Sequence, residues 1–211
     1  LNSLETKLSE IACQHLKKIA QESHLVKSTF LQECQDKIVQ ISQLIAQRLA
    51  EGRKLLIFGN GGSAADSQHF AAELVGQLLI KNRKPMAAIA LTTDSSNLTS
   101  IGNDFGFDMI YERQIRALGK PRDIAFGIST SGNSPNVYKA LEAAQEQQMT
   151  CIGLTGGSGG KLSQVCHFLL NARAGENSCR IQETHIFAIH AIVDLIESIF
   201  SIPTQEARLS E

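Results

Sequence analysis

The first fifty residues contain neither glycine nor proline, the two residues least compatible with a helix interior. That absence predicts helix over the segment. The chain also lacks any run approaching the roughly 18 consecutive apolar residues of a membrane span, and no charged-then-apolar signal opens it. No excess of positive charge exists: 20 Lys and Arg against 21 Asp and Glu leave a net charge of −1. A large basic surface for nucleic acid is therefore not expected. The five cysteines (Cys13, Cys34, Cys151, Cys166, Cys179) include no CxxC pair and leave an odd member. A reduced, cytoplasmic protein is the expectation, with no nucleic-acid or membrane partner.

What is present is an ordinary globular composition, 211 residues with 43% hydrophobic and 19% charged side chains. This is enough for one core and an appendage. Leu4, Leu8, Ile11 and Ile19 mark one apolar stripe. Phe30, Cys34, Ile38, Ile41, Ile45 and Leu49 mark a second at helical spacing. The polar stretch QESHLVKS reads as a break between two helices, and Gly52 as the stop of the second. From residue 54 short apolar runs (KLLIFG, MAAIAL, DIAFGI, TCIGLT, HFLLNA) alternate with helical stretches, and a last helix runs from about Arg180 to Phe200. Runs apolar on both faces predict a parallel sheet covered by helices on both sides. The expected fold is α/β, a doubly wound five-stranded parallel sheet with an N-terminal helical extension. The organisation reads as 1–52 helices for oligomerisation, 53–201 the α/β domain, and 202–211 a loose tail.

Two strand-to-helix turns carry chemistry. In GNGGSAADSQHFAAE, residues 59–73, Gly59, Gly61 and Ala64 satisfy a degenerate dinucleotide fingerprint. The acidic residue that fingerprint needs about 20 positions later is missing from LLIKNRK, so the dinucleotide reading fails. The glycines still admit an anion, and Ser63 is placed to cap the following helix. The second turn, Ser129-Thr130-Ser131-Gly132-Asn133-Ser134, offers four hydroxyls before Pro135, which suits the first turn of a helix. That is a bed for a phosphate monoester. A third loop, TGGSGG at 155–160, carries less information.

His69 and Glu73 stand at i and i+4, on one face of a helix. In RIQETHIFAIH, His185 and His190 lie about 140° apart around the helix and cannot share a site, whereas Gln182 and His190, about 80° apart, can. Taken together, GNGGSAADSQHFAAELVG, AIALTTDSSNLTSIGNDFGF, GISTSGNSPNV and RIQETHIFAIH resemble the phosphoheptose isomerases of the sugar isomerase (SIS) domain family. The resemblance spans nearly the whole chain. It implies a homotetramer, one zinc ion per subunit, and isomerisation of sedoheptulose 7-phosphate to D-glycero-D-manno-heptose 7-phosphate, a precursor of ADP-heptose and lipopolysaccharide core. Carried over by position, it marks Asn60, Gly61, Gly62, Asn103, Asp104, Ser129, Thr130, Ser131, Ser134 and Gln182 as substrate contacts, with Ser63 and Glu73 beside them. It marks His69, Glu73, Gln182 and His190 as zinc ligands. Cys179 departs from the aspartate that some members carry there, which leaves that sugar contact open.

A ketose becomes an aldose by moving a proton between C1 and C2 through an enediol. Glu73 is the candidate base and His190 the candidate acid. A carboxylate or imidazole bound to zinc is a poorer proton acceptor, so either the ligation is loose or the metal is partly structural. The rival is a non-catalytic SIS scaffold that binds the replication initiator or senses sugar phosphates; its discriminating mark is the lack of that Glu and second His. Finally, Gln182 and His190 are separated by about 12 Å of helix rise. This predicts a site at a subunit interface, with His69–Glu73 of one chain facing the last helix of another.

Overall fold

In a computed structural model of the chain, the backbone is described for residues 2–202 and the side chains for residues 5–202. The expected tail after Pro203 and the side chain of Leu4 lie outside the described residues. All five predicted strands form: β1 (Leu55–Gly59), β2 (Ala88–Ala90), β3 (Ile124–Ser129), β4 (Thr150–Gly156) and β5 (Phe168–Ala172). They pair in parallel in the order β2-β1-β3-β4-β5. Each central strand is apolar on both faces because each face is covered. Leu55, Ile57, Ile124, Phe126, Ile128, Ile152 and Leu154 pack toward one helical layer, while Leu56, Phe58, Ala125 and Cys151 pack toward the other.

The first layer holds α1 (Asn2–Ala50), α2 (Gly62–Val75) and α7 (Ser178–Ser201). The second holds α4 (Glu112–Leu118), α5 (Pro135–Glu146) and α6 (Leu162–Val165), with α3 (Ser95–Phe105) at its margin. The sheet is built outward in both directions from the β1/β3 pair. In open parallel sheets such a switch point leaves a crevice at the strands' C-terminal ends. Here that crevice lies between the glycine turn and the serine turn.

The expected pair of N-terminal helices is one continuous helix of 49 residues. QESHLVKS holds no glycine or proline, and its polar residues are compatible with helix, so the backbone does not break there. What changes at that point is burial. Phe30, Cys34, Ile38, Ile41 and Ile45 are buried in the main core, whereas Leu8, Ile11 and Leu16 are about three-fifths exposed (58%, 63% and 64%). The segment 1–52 is thus not a separate appendage, since its second half forms part of the domain core. Gly52 does end the helix, with the Arg53 N–H bonding back to the Arg48 carbonyl.

Helix α7 is long and apolar enough to pass for a membrane span by length and composition. It is a core helix: Ala188, Ile189, Ile192, Val193 and Ile196 are completely buried. It also buries His185, whose Nε2 lies 3.0 Å from the Thr155 carbonyl. A carbonyl only accepts, so Nε2 carries the proton. Burial pulls this imidazole down to about 4, only partly offset by the bond to Thr155. His185 is a neutral strut between α7 and β4, on a different face from His190.

Candidate active site

The first turn is built by Gly61, which takes φ 57° and N-caps α2. The helix therefore begins at Gly62, two residues earlier than a Ser63 cap requires. Ser63 is buried inside the first turn and makes no capping bond; its carbonyl accepts from Ser67 Oγ at 2.7 Å. Ser63 is therefore not the cap of α2. A β-carbon at Gly62 would strike the Gln182 amide, so a side chain fits there only if that amide moves. Asn60 is engaged too. Its amide and that of Asn136 exchange two hydrogen bonds of 2.8 and 2.9 Å, lacing the first turn to the head of α5. The Tyr111 hydroxyl donates to the Gly59 carbonyl at 2.5 Å.

In the second turn the Ser129 hydroxyl is buried, 3.0 Å from Ser134 Oγ and 3.4 Å from Ser131 Oγ. Ser134 is the N-cap of α5 and Pro135 occupies the first turn, as expected, yet no side chain caps the helix. Three hydroxyls and uncapped first-turn N–H groups thus meet at one helix head, the arrangement that attracts an anion. The third loop supports the second rather than adding donors. The Leu162 N–H donates to the Gly132 carbonyl at 3.0 Å and the Lys161 N–H to Asn133 Oδ1 at 3.1 Å.

The protic groups meet along the α2–α7 contact. Nε2 of His69 lies 2.8 Å from Nε2 of His190 and 3.5 Å from Glu73 Oε1. The two helices touch at matching levels, Gln182 at Gly62 and then His190 at His69, and just past the end of α2 the Glu197 carboxylate meets Leu78–Ile80. The arrangement expected across a subunit boundary forms inside one chain. Gln182 and His190 do not stretch along α7 toward one point, because each reaches sideways to α2 at its own level. Asn103 and Asp104 are not brought to this crevice. They sit exposed at the end of α3, bonded to each other at 2.8 Å.

Residues 19–156 match the SIS domain family model. A phosphoheptose isomerase of Aquifex aeolicus is 48% identical, aligned over 88% of this chain and 96% of its own. The chain belongs to the phosphoheptose isomerases of the SIS domain family. Solved structures of phosphoheptose isomerases from Neisseria gonorrhoeae and Francisella tularensis share the fold. The first has a TM-score of 0.81 at 45% identity, covering 90% of this chain and 99% of that one. The second has a TM-score of 0.84 at 34% identity, covering 89% and 98%.

In this SIS chain His69 and Glu73 remain partly accessible, with side chains 40% and 19% exposed. Among the described residues no three His, Cys, Asp or Glu side chains are spaced as a finished metal cage. Tetrahedral donors at about 2.0–2.1 Å from zinc stand about 3.3 Å apart. The His69–Glu73 distance suits that spacing, and the two imidazoles must part by about half an ångström to meet it. By donor type and proximity His69, Glu73 and His190 fit a zinc ion; Gln182, held at Gly62, does not join them in the single chain.

Two residues near the site were missed from sequence. Asn136 was hidden beside Pro135, and only its pairing with Asn60 across 76 residues reveals its role. Asp66 stands three residues before His69, with one carboxylate oxygen buried and unpartnered. Burial pushes its carboxyl up to about 6, against the pull of His69. Its i, i+3 spacing from His69 was the available signal.

Proposed function

We infer that this chain isomerises sedoheptulose 7-phosphate to D-glycero-D-manno-heptose 7-phosphate through an enediol, as its membership of the phosphoheptose isomerases suggests. The observation that carries the reading is the convergence of His69, Glu73 and His190 along one side of α2, a helix whose head lies beside the serine turn. The 7-phosphate binds at the head of α5, held by Ser129, Thr130, Ser131 and Ser134 and by the backbone N–H groups there. Asn60, Gly61 and Gly62 line the opposite wall, and Gln182 over Gly62 offers its amide to the sugar hydroxyls. Glu73 takes the proton from C1 and returns it to C2, while His190 gives a proton to O2 as that carbonyl becomes a hydroxyl and takes one back from O1 as C1 becomes the carbonyl. His69, Glu73 and His190 would hold zinc, which would polarise the carbonyl and take up charge on oxygen.

We place the enzyme among cytoplasmic sugar phosphates and propose that it works as a homotetramer. Two surfaces support assembly: the exposed Leu8–Ile11–Leu16 stripe of α1, and α3, which buries none of its residues while carrying Asn103 and Asp104. A neighbouring copy is the means by which those two residues reach a sugar. The scaffold rival loses its ground, since Glu73 and His190 are both present and both face His69.

The experiment is direct. Sedoheptulose 7-phosphate is incubated with the protein and the heptose 7-phosphate product is followed. Glu73→Gln and His190→Gln should each fold and lose about a hundredfold or more in kcat, the scale of a lost general acid or base. Absence of product with the parent chain sinks the reading, and near-normal turnover by either variant removes that residue from its role.

A further inference from the structure

Between α2 and β2 runs an irregular segment that is fastened by charge. The Glu197 side chain is fully buried, and its carboxylate accepts the N–H groups of Leu78 (2.8 Å), Leu79 (2.8 Å) and Ile80 (2.9 Å). Arg83 Nε, 2.6 Å away, is a fourth donor. The Arg83 guanidinium, 7% exposed, turns the other way. It donates to the carbonyl of Leu74 (2.8 Å), to that of Lys84 (3.1 Å), and to the carbonyl of Glu73 itself. The Glu73 and Leu74 carbonyls belong to the last turn of α2, where the helix supplies no partners of its own.

Burying such a pair is weak evidence for stability, because desolvation offsets most of the attraction. Its geometry says more. Glu197 follows His190 by seven residues, nearly two full turns, so both project from the same side of α7. One end of the pair is thus anchored on the helix of His190, and the other grips the backbone of Glu73. We propose that Arg83 and Glu197 are positioning residues that set Glu73 on α2 at its working distance from His190 on α7. This rests on the function proposed above for Glu73 and His190. Neither residue of the pair touches substrate; they act through the helix end they hold, as partners behind metal and proton-transfer groups do.

The test uses the full chain with Arg83→Lys, Glu197→Gln and, as a stability control, Ile196→Val, which thins the buried α7 contact without touching the pair. Turnover of sedoheptulose 7-phosphate, zinc affinity by competition with a chromophoric chelator, and melting temperature are measured on each. Arg83→Lys and Glu197→Gln should lose about tenfold to a hundredfold in both kcat and zinc affinity, the usual effect of removing such a partner. KM should change little, because the serine turn lies elsewhere. Ile196→Val should melt earlier with both activities intact. Pair variants that melt earlier yet keep the parent's kcat and zinc affinity would overturn the proposal, as would an Ile196→Val variant that loses as much as they do. If Glu197→Gln does not fold, Arg83→Lys, which keeps a cation and donors in place, decides alone. A parent chain that neither isomerises nor binds zinc would fail the functional reading instead. The positioning claim then stands or falls on crystal structures of the parent and Arg83→Lys, in which an unchanged Glu73–His190 separation overturns it and a widened one upholds it.

Discussion

Gly62 and Gln182 show how little space one residue can have. Gly62→Ala puts a methyl group where the Gln182 amide lies, but that amide is the far end of a flexible side chain and can swing away. The expected outcome is a nearly unchanged melting temperature with weakened sugar-phosphate binding, read as a raised KM. A large stability loss would mean that Gln182 is locked in place. Ser131→Ala belongs to the same scale. Its hydroxyl is exposed, accepts the Asn133 N–H at 3.2 Å and lies 3.4 Å from the Ser129 hydroxyl, where either can donate. Removing it should raise KM more than it lowers kcat, and steady-state kinetics at saturating substrate separate the two. His185 is the residue with the sharpest acid signature. It is held near 4 in the fold and is about 6.5 when unfolded, so the unfolded chain binds more protons between those values. Stability should fall as pH drops from about 6.5 to about 4, by roughly 3 kcal/mol at full effect. Denaturant melts at a series of pH values check this, and His185→Asn should flatten that part of the curve.

Among the elements, α1 is where packing and reading diverge. Truncating Ile41, which is completely buried, should cost about 2–5 kcal/mol, whereas truncating the exposed Leu8 should cost a lone chain almost nothing. Urea melts of Ile41→Ala and Leu8→Ala at low protein concentration test the contrast. Sequence shows both stripes equally well, because periodicity reports an apolar face and not what covers it. The five strands were legible because a strand buried on both faces leaves an unbroken apolar run. Helix α3 was not, since none of its residues is buried and it carries little apolar signal beyond Leu98 and Ile101. Spacing put His69 and Glu73 on one helical face and let Gln182 and His190 share a site, whereas the roles of His69, Glu73 and His190 were implied only by the family resemblance. That α2 and α7 lie alongside each other in one chain was not visible, because spacing along one helix says nothing about which neighbour it meets.

For the whole molecule, the meeting of His69 and His190 within one chain sets the result of a mixing experiment. Mixtures of Glu73→Gln and His190→Gln chains should recover no activity, because each site draws both residues from the same chain. Recovered turnover would show that α7 is exchanged between copies. Acid brings a second global effect beyond His185. Burial alone would raise the Glu197 carboxyl, but the Leu78 amide, the Arg83 guanidinium and the Ile80 and Leu79 amides together hold it down to about 2. Its contribution is complete above about 4.5 and is lost as pH falls toward 2, so the chain should meet two successive destabilising steps on acidification.

Residues 5–18 of α1 are all exposed, and the Arg180 guanidinium reaches this helix only at the Ile19 carbonyl, 3.0 Å away. At about 1.5 Å per residue the whole helix is a rod about 74 Å long, and its outer part has little of the domain to lean on. A stretch that short is marginal as a free helix in water. Its order therefore depends on whatever covers its apolar stripe, and where that cover is a second copy, as proposed above, dilution removes it. The far-ultraviolet signal should lose amplitude as the protein is diluted while the sheet stays intact, and a protease added at low concentration should nick the chain near its start before anywhere else.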